Sequence, residues 1–257
     1  MNQMYRNNNE ELIVKMAKYY SENGDIELLH KMLKDFDKIK NGHTPKEGNR
    51  VLVIGDLHEP FCLDGYLEHC IETYKTFDCN KVIFIGDVID NHYSSFHNAD
   101  PDGHSAGEEL KLAINKINLW YKAFPYADVI IGNHDAIITR KAFSSSVSKE
   151  WVKEYSEVLE TPNWKFVDSL ILDDVLYVHG QGGSAFKTAQ NESMSTVCGH
   201  THTEASVKWV NNKIFGMNVG CGVDRSSYAM AYAKHFKQQI LSCGVVIDGK
   251  QAYLSKM

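Results

Sequence analysis

The 257-residue chain is 43% hydrophobic and 23% charged, with a formal net charge of −6. Such a chain can bury a sizeable core without disulfides, and its acidity speaks against a domain whose main business is coating nucleic-acid backbone, which needs surplus Lys and Arg. A nuclease stays open, because bound divalent cations make a site locally positive in an acidic protein.

Residues 1 to 46 are read as a helical hairpin. Two helical stretches are divided by Glu22-Asn23-Gly24, and in the second Leu29, Met32, Leu33 and Phe36 recur at helical spacing behind Asp25 as N-cap. Eight basic residues against seven acidic ones make a poor electrostatic case for a DNA-recognition helix, so packing or self-association is the preferred role. Asn41 to Asn49, with two Gly and one Pro, is a linker.

From Arg50 the pattern becomes strand, loop, helix. Val51–Ile54, Lys81–Ile85 and Val129–Ile131 are short apolar runs followed at once by Gly and polar residues, as expected of buried strands. Ser105-Ala-Gly-Glu108 has the form of a capping box opening a helix to about Phe124, with Leu112, Ile117, Leu119 and Trp120 among its apolar residues. After Trp164 the chain turns mainly to strands: Leu170–Leu172, Val175–Val178, Thr196–Cys198, then Val207–Val210 and Lys213–Asn218 around Asn211-Asn212. Leu241–Ile247 and Ala252–Leu254, joined at Asp248-Gly249, are read as a terminal hairpin. Cys62, Cys70, Cys79, Cys198, Cys221 and Cys243 form no CxxC pair, and no charged-then-apolar leader precedes them. They are read as small buried apolar residues in a protein of the reducing cytosol, with no membrane partner.

Five strand ends carry the chemistry: Gly55-Asp56-Leu57-His58, Gly86-Asp87-Val88-Ile89-Asp90, Gly132-Asn133-His134-Asp135, His179-Gly180 and Gly199-His200-Thr201-His202. Singly, each is explained by a cap, a turn or a structural His. Together they supply oxygen and nitrogen donors without thiolate, where an α/β sheet gathers its ligands.

The order D-x-H, G-D-x-x-D, G-N-H-D, H, G-H-x-H resembles the signature of the calcineurin-like metallophosphoesterases, and the resemblance extends over residues 48 to 257. It implies an α/β sandwich of two mixed β-sheets flanked by α-helices, with the N-terminal helices as an extension. It further implies that Asp56, His58, Asp87 and His202 hold one divalent ion and Asp87, Asn133, His179 and His200 a second, Asp87 bridging. Mn²⁺ is the expected ion, and Fe²⁺, Zn²⁺, Ni²⁺ or Mg²⁺ also suit such donors. Two ions about 3.5 to 4 Å apart share one water, lower its pKa and neutralise phosphate oxygens. His134, beside Asn133 but not a ligand, is assigned proton donation to the leaving oxygen; Asp90 is assigned its orientation, with a cap or turn as the other role open to it.

Phosphoprotein phosphatases of this family read G-D-x-x-D-R-G, the arginine gripping a dianion; here Asn91-His92 follows Asp90. A phosphodiester, of nucleotides or nucleic acid, is therefore the expected substrate. A phosphomonoesterase and a non-catalytic scaffold on the same fold are the alternatives. The loop Phe96 to His104 is placed to overhang the site, where His92, His97 and His104 are either solvated or substrate contacts.

Overall fold

A computed structural model describes residues 48–95, 100, 102–233 and 237–257. The expected hairpin over residues 1 to 46, most of the linker and His97 lie outside them. Arg50–Ile54 (β1) reads Arg-Val-Leu-Val-Ile. The period of two in a strand sends Val51 and Val53 to one face and Leu52 and Ile54 to the other. Both faces are dry, since Val51 and Val53 pack in one core cluster and Leu52 and Ile54 in another. That is why the run is continuously apolar rather than alternating.

Tyr66–Thr76 (α1) leads to Lys81–Phe84 (β2), Ala106–Ala123 (α2) to Ala127–Ile130 (β3), and Ile137–Ser144 (α3) with Tyr155–Val158 (α4) to Trp164–Val167 (β4). These strands lie parallel in turn: β1 with β2, β2 with β3, β3 with β4. Ser169–Leu172 (β5), Val175–Val178 (β6), Ser195–Cys198 (β7), Ala205–Trp209 (β8) and Phe215–Val219 (β9) form a second sheet of order β5-β6-β7-β9-β8. Ala185–Glu192 (α5) joins β6 to β7. Ser242–Ile247 (β10) and Gln251–Lys256 (β11) return as an antiparallel hairpin to the free edge of β1, completing a six-stranded sheet β11-β10-β1-β2-β3-β4. Both sheets are mixed, as expected, and the β8–β9 and β10–β11 pairs are the antiparallel hairpins read from the sequence.

One core cluster fills the space between the sheets: Val53, Ile83, Ile85 and Ile130 meet Tyr177, Val197, Phe215 and Met217. The other seals the outer face of the first sheet, where Phe84 and Val129 meet Tyr66 and Cys70 of α1 and Ile117 and Trp120 of α2. Each fully buried aliphatic side chain stabilises the fold by about 1.5 to 3 kcal/mol. The capping box of α2 is present, Ser105 and Glu108 each accepting from the other's backbone N–H. Its buried stripe differs from the expectation: Glu109, Ala113, Ile117 and Trp120 face inward, while Leu112 and Leu119 are 39% and 52% exposed. All six cysteines are buried and unpaired.

Two polar anchors fix the helices to the strand ends that matter. The Tyr66 hydroxyl donates to the Ser242 carbonyl (2.7 Å) and accepts from Gly55 N–H (3.2 Å), tying α1 to the end of β1. Trp120 Nε1–H donates to Glu59 Oε1 at 2.9 Å, tying α2 to the loop after β1.

Candidate metal centre

The loops after β1, β2, β3, β6 and β7 converge at one end of the two sheets. Backbone hydrogen bonds knit the first two, with Leu57 and His58 N–H both donating to the Asp87 carbonyl (3.1 and 2.8 Å). The approach is close enough to demand glycine. A Cβ on Gly132 would lie 2.1 Å from Asp87 Oδ1, and one on Gly199 would lie 2.3 Å from Asp56 Oδ1. His58, Asp87 and His200 take left-handed backbone conformations (φ 51°, 50° and 64°). Residues other than glycine hold such a conformation only where the surroundings over-determine it, and such strain clusters at functional sites.

Asp56, His58 and His202 bring donor atoms within 4.8 Å of one another, as do Asp87, His179 and His200. Asp56 Oδ2 lies 3.0 Å from His202 Nε2. Asp87 Oδ2 stands between the two groups, 3.5 Å from His58 Nε2 and 3.1 Å from His179 Nε2. Asn133 Oδ1 lies 3.0 Å from His179 Nε2 and 2.8 Å from His200 Nδ1. All the residues expected to hold metal are thus gathered in one place.

The tautomers make this gathering unstable without positive charge. His179 Nδ1 faces the Ile85 carbonyl at 2.9 Å, so this nitrogen carries the proton and Nε2 presents a lone pair to the oxygens of Asp87 and Asn133. His58 Nδ1 is 2.5 Å from Asp90 Oδ1, which leaves Nε2 as the lone-pair atom toward Asp87. His58 Nε2 and Asp56 Oδ1 are buried without any hydrogen-bond partner. Acceptors facing acceptors in a dry site require a proton or a cation between them, and oxygen and imidazole donors without thiolate suit divalent ions. The residues therefore fit the divalent cations that the motif order implies.

The proton's version of the same attraction appears in the titration behaviour. Burial lowers the His179 imidazole, but the charges of Asp87 and Asp56 outweigh it and raise the group to about 10. Burial raises the Asp87 carboxyl, and His179 and His58 override it, holding it well below the usual carboxylate range. His58 and His200 are pushed down, each by burial first and then by a neighbouring imidazole, His134 and His179 respectively.

His134 sits at the edge of the cluster. Its Nδ1 is 2.7 Å from the Asp90 carbonyl and 3.2 Å from Asp90 Oδ1. Burial lowers this imidazole, while the hydrogen bond to Asp90 and the charge of Asp87 raise it to about 9. A ring nitrogen of His134 also comes within 4.8 Å of donor atoms of His58 and Asp87, so proximity alone does not separate a proton donor from a ligand. Asp90 contacts both His58 and His134, and these two imidazoles hold it well below the usual range against the upward push of burial.

Asn91 and His92 are already engaged. Asn91 Nδ2 donates to the His134 carbonyl (3.0 Å). His92 is 7% exposed, its Nε2 accepts from Asp100 N–H (3.3 Å), and its ring lies edge-on to Phe61 and Tyr228. The expected substrate contact through His92 therefore gives way to a packing role. His104 is exposed and lies edge-on to Tyr228.

Asp135 has a role the sequence reading did not assign. It is fully buried, and its two oxygens accept from Gly132 N–H (2.8 Å) and Ile89 N–H (3.2 Å), clamping the third loop to the second. Burial, then the charge of Asp87, raises its carboxyl to about 7.

Residues 49–219 match the family profile of the calcineurin-like phosphoesterases, and the chain belongs to that family. Solved structures similar to it include vacuolar protein sorting 29 from Cryptosporidium parvum, 17% identical, covering 82% of this chain and 98% of that one, with a TM-score of 0.42. A metallophosphoesterase from Sphaerobacter thermophilus is 14% identical, covering 82% and 88%, with a TM-score of 0.43. Pseudomonas putida nuclease MPE is 11% identical, covering 80% and 86%, with a TM-score of 0.40. No curated protein sequence matches the chain significantly. Among the described residues no helix is long and apolar enough to cross a membrane.

Proposed function

We propose that the chain is a hydrolase of phosphodiesters, of nucleotides or nucleic acid, working with two divalent cations. The observation that carries this reading is the pair of lone-pair clusters sharing Asp87 Oδ2, with His58 Nε2 and Asp56 Oδ1 buried and unpartnered. Asp56, His58, Asp87 and His202 would hold one ion, and Asp87, Asn133, His179 and His200 the other. The bound ions would supply a water of lowered pKa and neutralise charge on the phosphate. The protein's own residues do the rest. Asp90 fixes the His58 tautomer and turns His134 so that its Nδ1 is engaged, leaving Nε2 to donate a proton to the departing oxygen.

Diesters are favoured over monoesters because no guanidinium follows Asp90 and the Asn91 amide is taken up by the His134 carbonyl. A dianion would lack the bidentate clamp that an arginine provides. Mn²⁺ is the activator best matched to the donors. The test compares bis-p-nitrophenyl phosphate with p-nitrophenyl phosphate at one pH and one Mn²⁺ concentration. A higher kcat/KM for the bis ester is expected, and the reverse order would move the assignment to a phosphomonoesterase.

A further inference from the structure

Among the described residues, the two most exposed large hydrophobic side chains lie close together in sequence. Phe143 and Trp151 are each 85% exposed, with Ile138 at 44% and Val147 at 42% on the same stretch. The stretch comprises α3 and the turn ending at Trp151, and α3 begins at Ile137, directly after the Gly132–Asp135 loop. From Phe143 to Trp151 every residue is exposed. Neither ring has an aromatic partner among the described residues.

The charge here opposes that of the whole chain. Residues 137–153 hold Arg140, Lys141, Lys149 and Lys153 against Glu150 alone, in a protein of net charge −6. Lys153 is paired with Glu157 at 2.6 Å, which leaves Lys141 and Lys149 exposed beside the rings. A face that buries itself against a second copy is depleted of charge, lysine above all, at its core. Here lysines and the serines Ser144, Ser145, Ser146 and Ser148 alternate with the apolar side chains. Solvent-facing aromatic rings interleaved with cations are what a single-stranded nucleic acid requires, since every base offers a face to stack and every linkage an anion to pair.

We propose that residues 138–153 form a docking platform for single-stranded nucleic acid, with Phe143 and Trp151 stacking on bases and Lys141 and Lys149 pairing with phosphates. The platform deepens the diesterase reading by naming its substrate class, yet it is a binding surface that can be measured without turnover. Because the arm continues directly from the loop that carries His134, a strand laid on it leads toward the proposed metal centre.

The test is fluorescence anisotropy of end-labelled DNA and RNA single strands of about 20 nucleotides, longer than the site sizes of such binders, against the full chain in Mn²⁺. Probe integrity is checked by electrophoresis. Binding of single strands above the matching duplex is expected, and the DNA and RNA arms identify the sugar. Phe143→Ala and Trp151→Ala should each weaken binding by about 10-fold or more. Lys141→Glu with Lys149→Glu should flatten the salt dependence by about one unit of slope. Hydrolysis of bis-p-nitrophenyl phosphate should stay unchanged in all of them.

Absence of binding, or binding indifferent to both rings, would overturn the platform. So would a ring-dependent change of mass in light scattering, or ring-dependent capture by phosphatidylserine vesicles, with no effect on oligonucleotides. If the small ester is not hydrolysed while ring-dependent binding persists, the diesterase reading falls and the platform stands.

Discussion

Replacing His134 by Asn removes one imidazole ring and leaves the proposed ligand shell in place. The backbone N–H of residue 134 still donates to Asp87 Oδ1 (2.8 Å), and Asp90 Oδ1 still contacts His58 Nδ1 (2.5 Å). The side chain is lost together with its two contacts to Asp90 at 2.7 and 3.2 Å. Loss of one general acid costs about 10²- to 10⁴-fold in rate, or about 2.7 to 5.5 kcal/mol of transition-state stabilisation. The deficit should appear in full on a diester with a poor leaving group, such as a dinucleotide. It should shrink on bis-p-nitrophenyl phosphate, whose leaving group departs with little protonation. The assay is kcat/KM for both substrates beside the metal content of the variant. Near-wild-type turnover of the dinucleotide would remove His134 from the chemistry; loss of metal would make it a ligand.

Glu59 is 3% exposed, and burial raises its carboxyl from 4.5 to about 7. A carboxyl whose folded pKa exceeds its unfolded one binds more protons when folded, so stability falls as pH rises from about 4.5 through about 7, by about 3 kcal/mol. Glu59→Gln keeps an acceptor for Trp120 and should therefore raise the Tm over wild type at about pH 8 but not below about pH 4.5; an equal difference at both would refute the assignment. Asp135→Asn puts an amide donor against Gly132 N–H or Ile89 N–H and should destabilise the fold by about 1 to 3 kcal/mol, read as a lowered midpoint in urea; an unchanged midpoint would contradict the clamp. Deleting residues 1–46 should leave hydrolysis of the small diester intact, because every proposed ligand lies between Asp56 and His202; loss of activity in a folded, metal-loaded truncation would give that segment a part in the site.

The strands that carry the site were legible because each is buried on both faces and then breaks into glycine and a polar side chain. Val51–Ile54 shows this well: four consecutive apolar residues cannot face water on either side of a sheet. Trp164–Val167 escaped because it lies at the edge of its sheet, with Lys165 exposed in the middle of the run. Helices α1 and α5 escaped for another reason. Their buried residues are Tyr66, Cys70 and Thr73 in one and Ala185 and Ala189 in the other, which make no apolar stripe. The same limit applies to Glu109, a carboxylate turned inward on α2 to accept from His92 N–H (2.7 Å).

Within the site, residue types and order were visible while partners were not. The absence of arginine after Asp90 could be read directly, but the engagement of Asn91 with the His134 carbonyl depends on two loops separated by 43 residues. The clamp formed by Asp135 has half its signal in the local motif, through Gly132, and half in a contact to Ile89 that only the folded sheet supplies.

The central claim is that two cation sites share Asp87. Titration of the chelated chain with Mn²⁺, followed calorimetrically and by elemental analysis, tests it most directly. Wild type should bind two ions per chain, His202→Ala and His200→Ala should each lose a different one, and Asp87→Asn should weaken both together. A single ion in wild type, or an Asp87→Asn protein that keeps one site at full affinity, would contradict the shared centre.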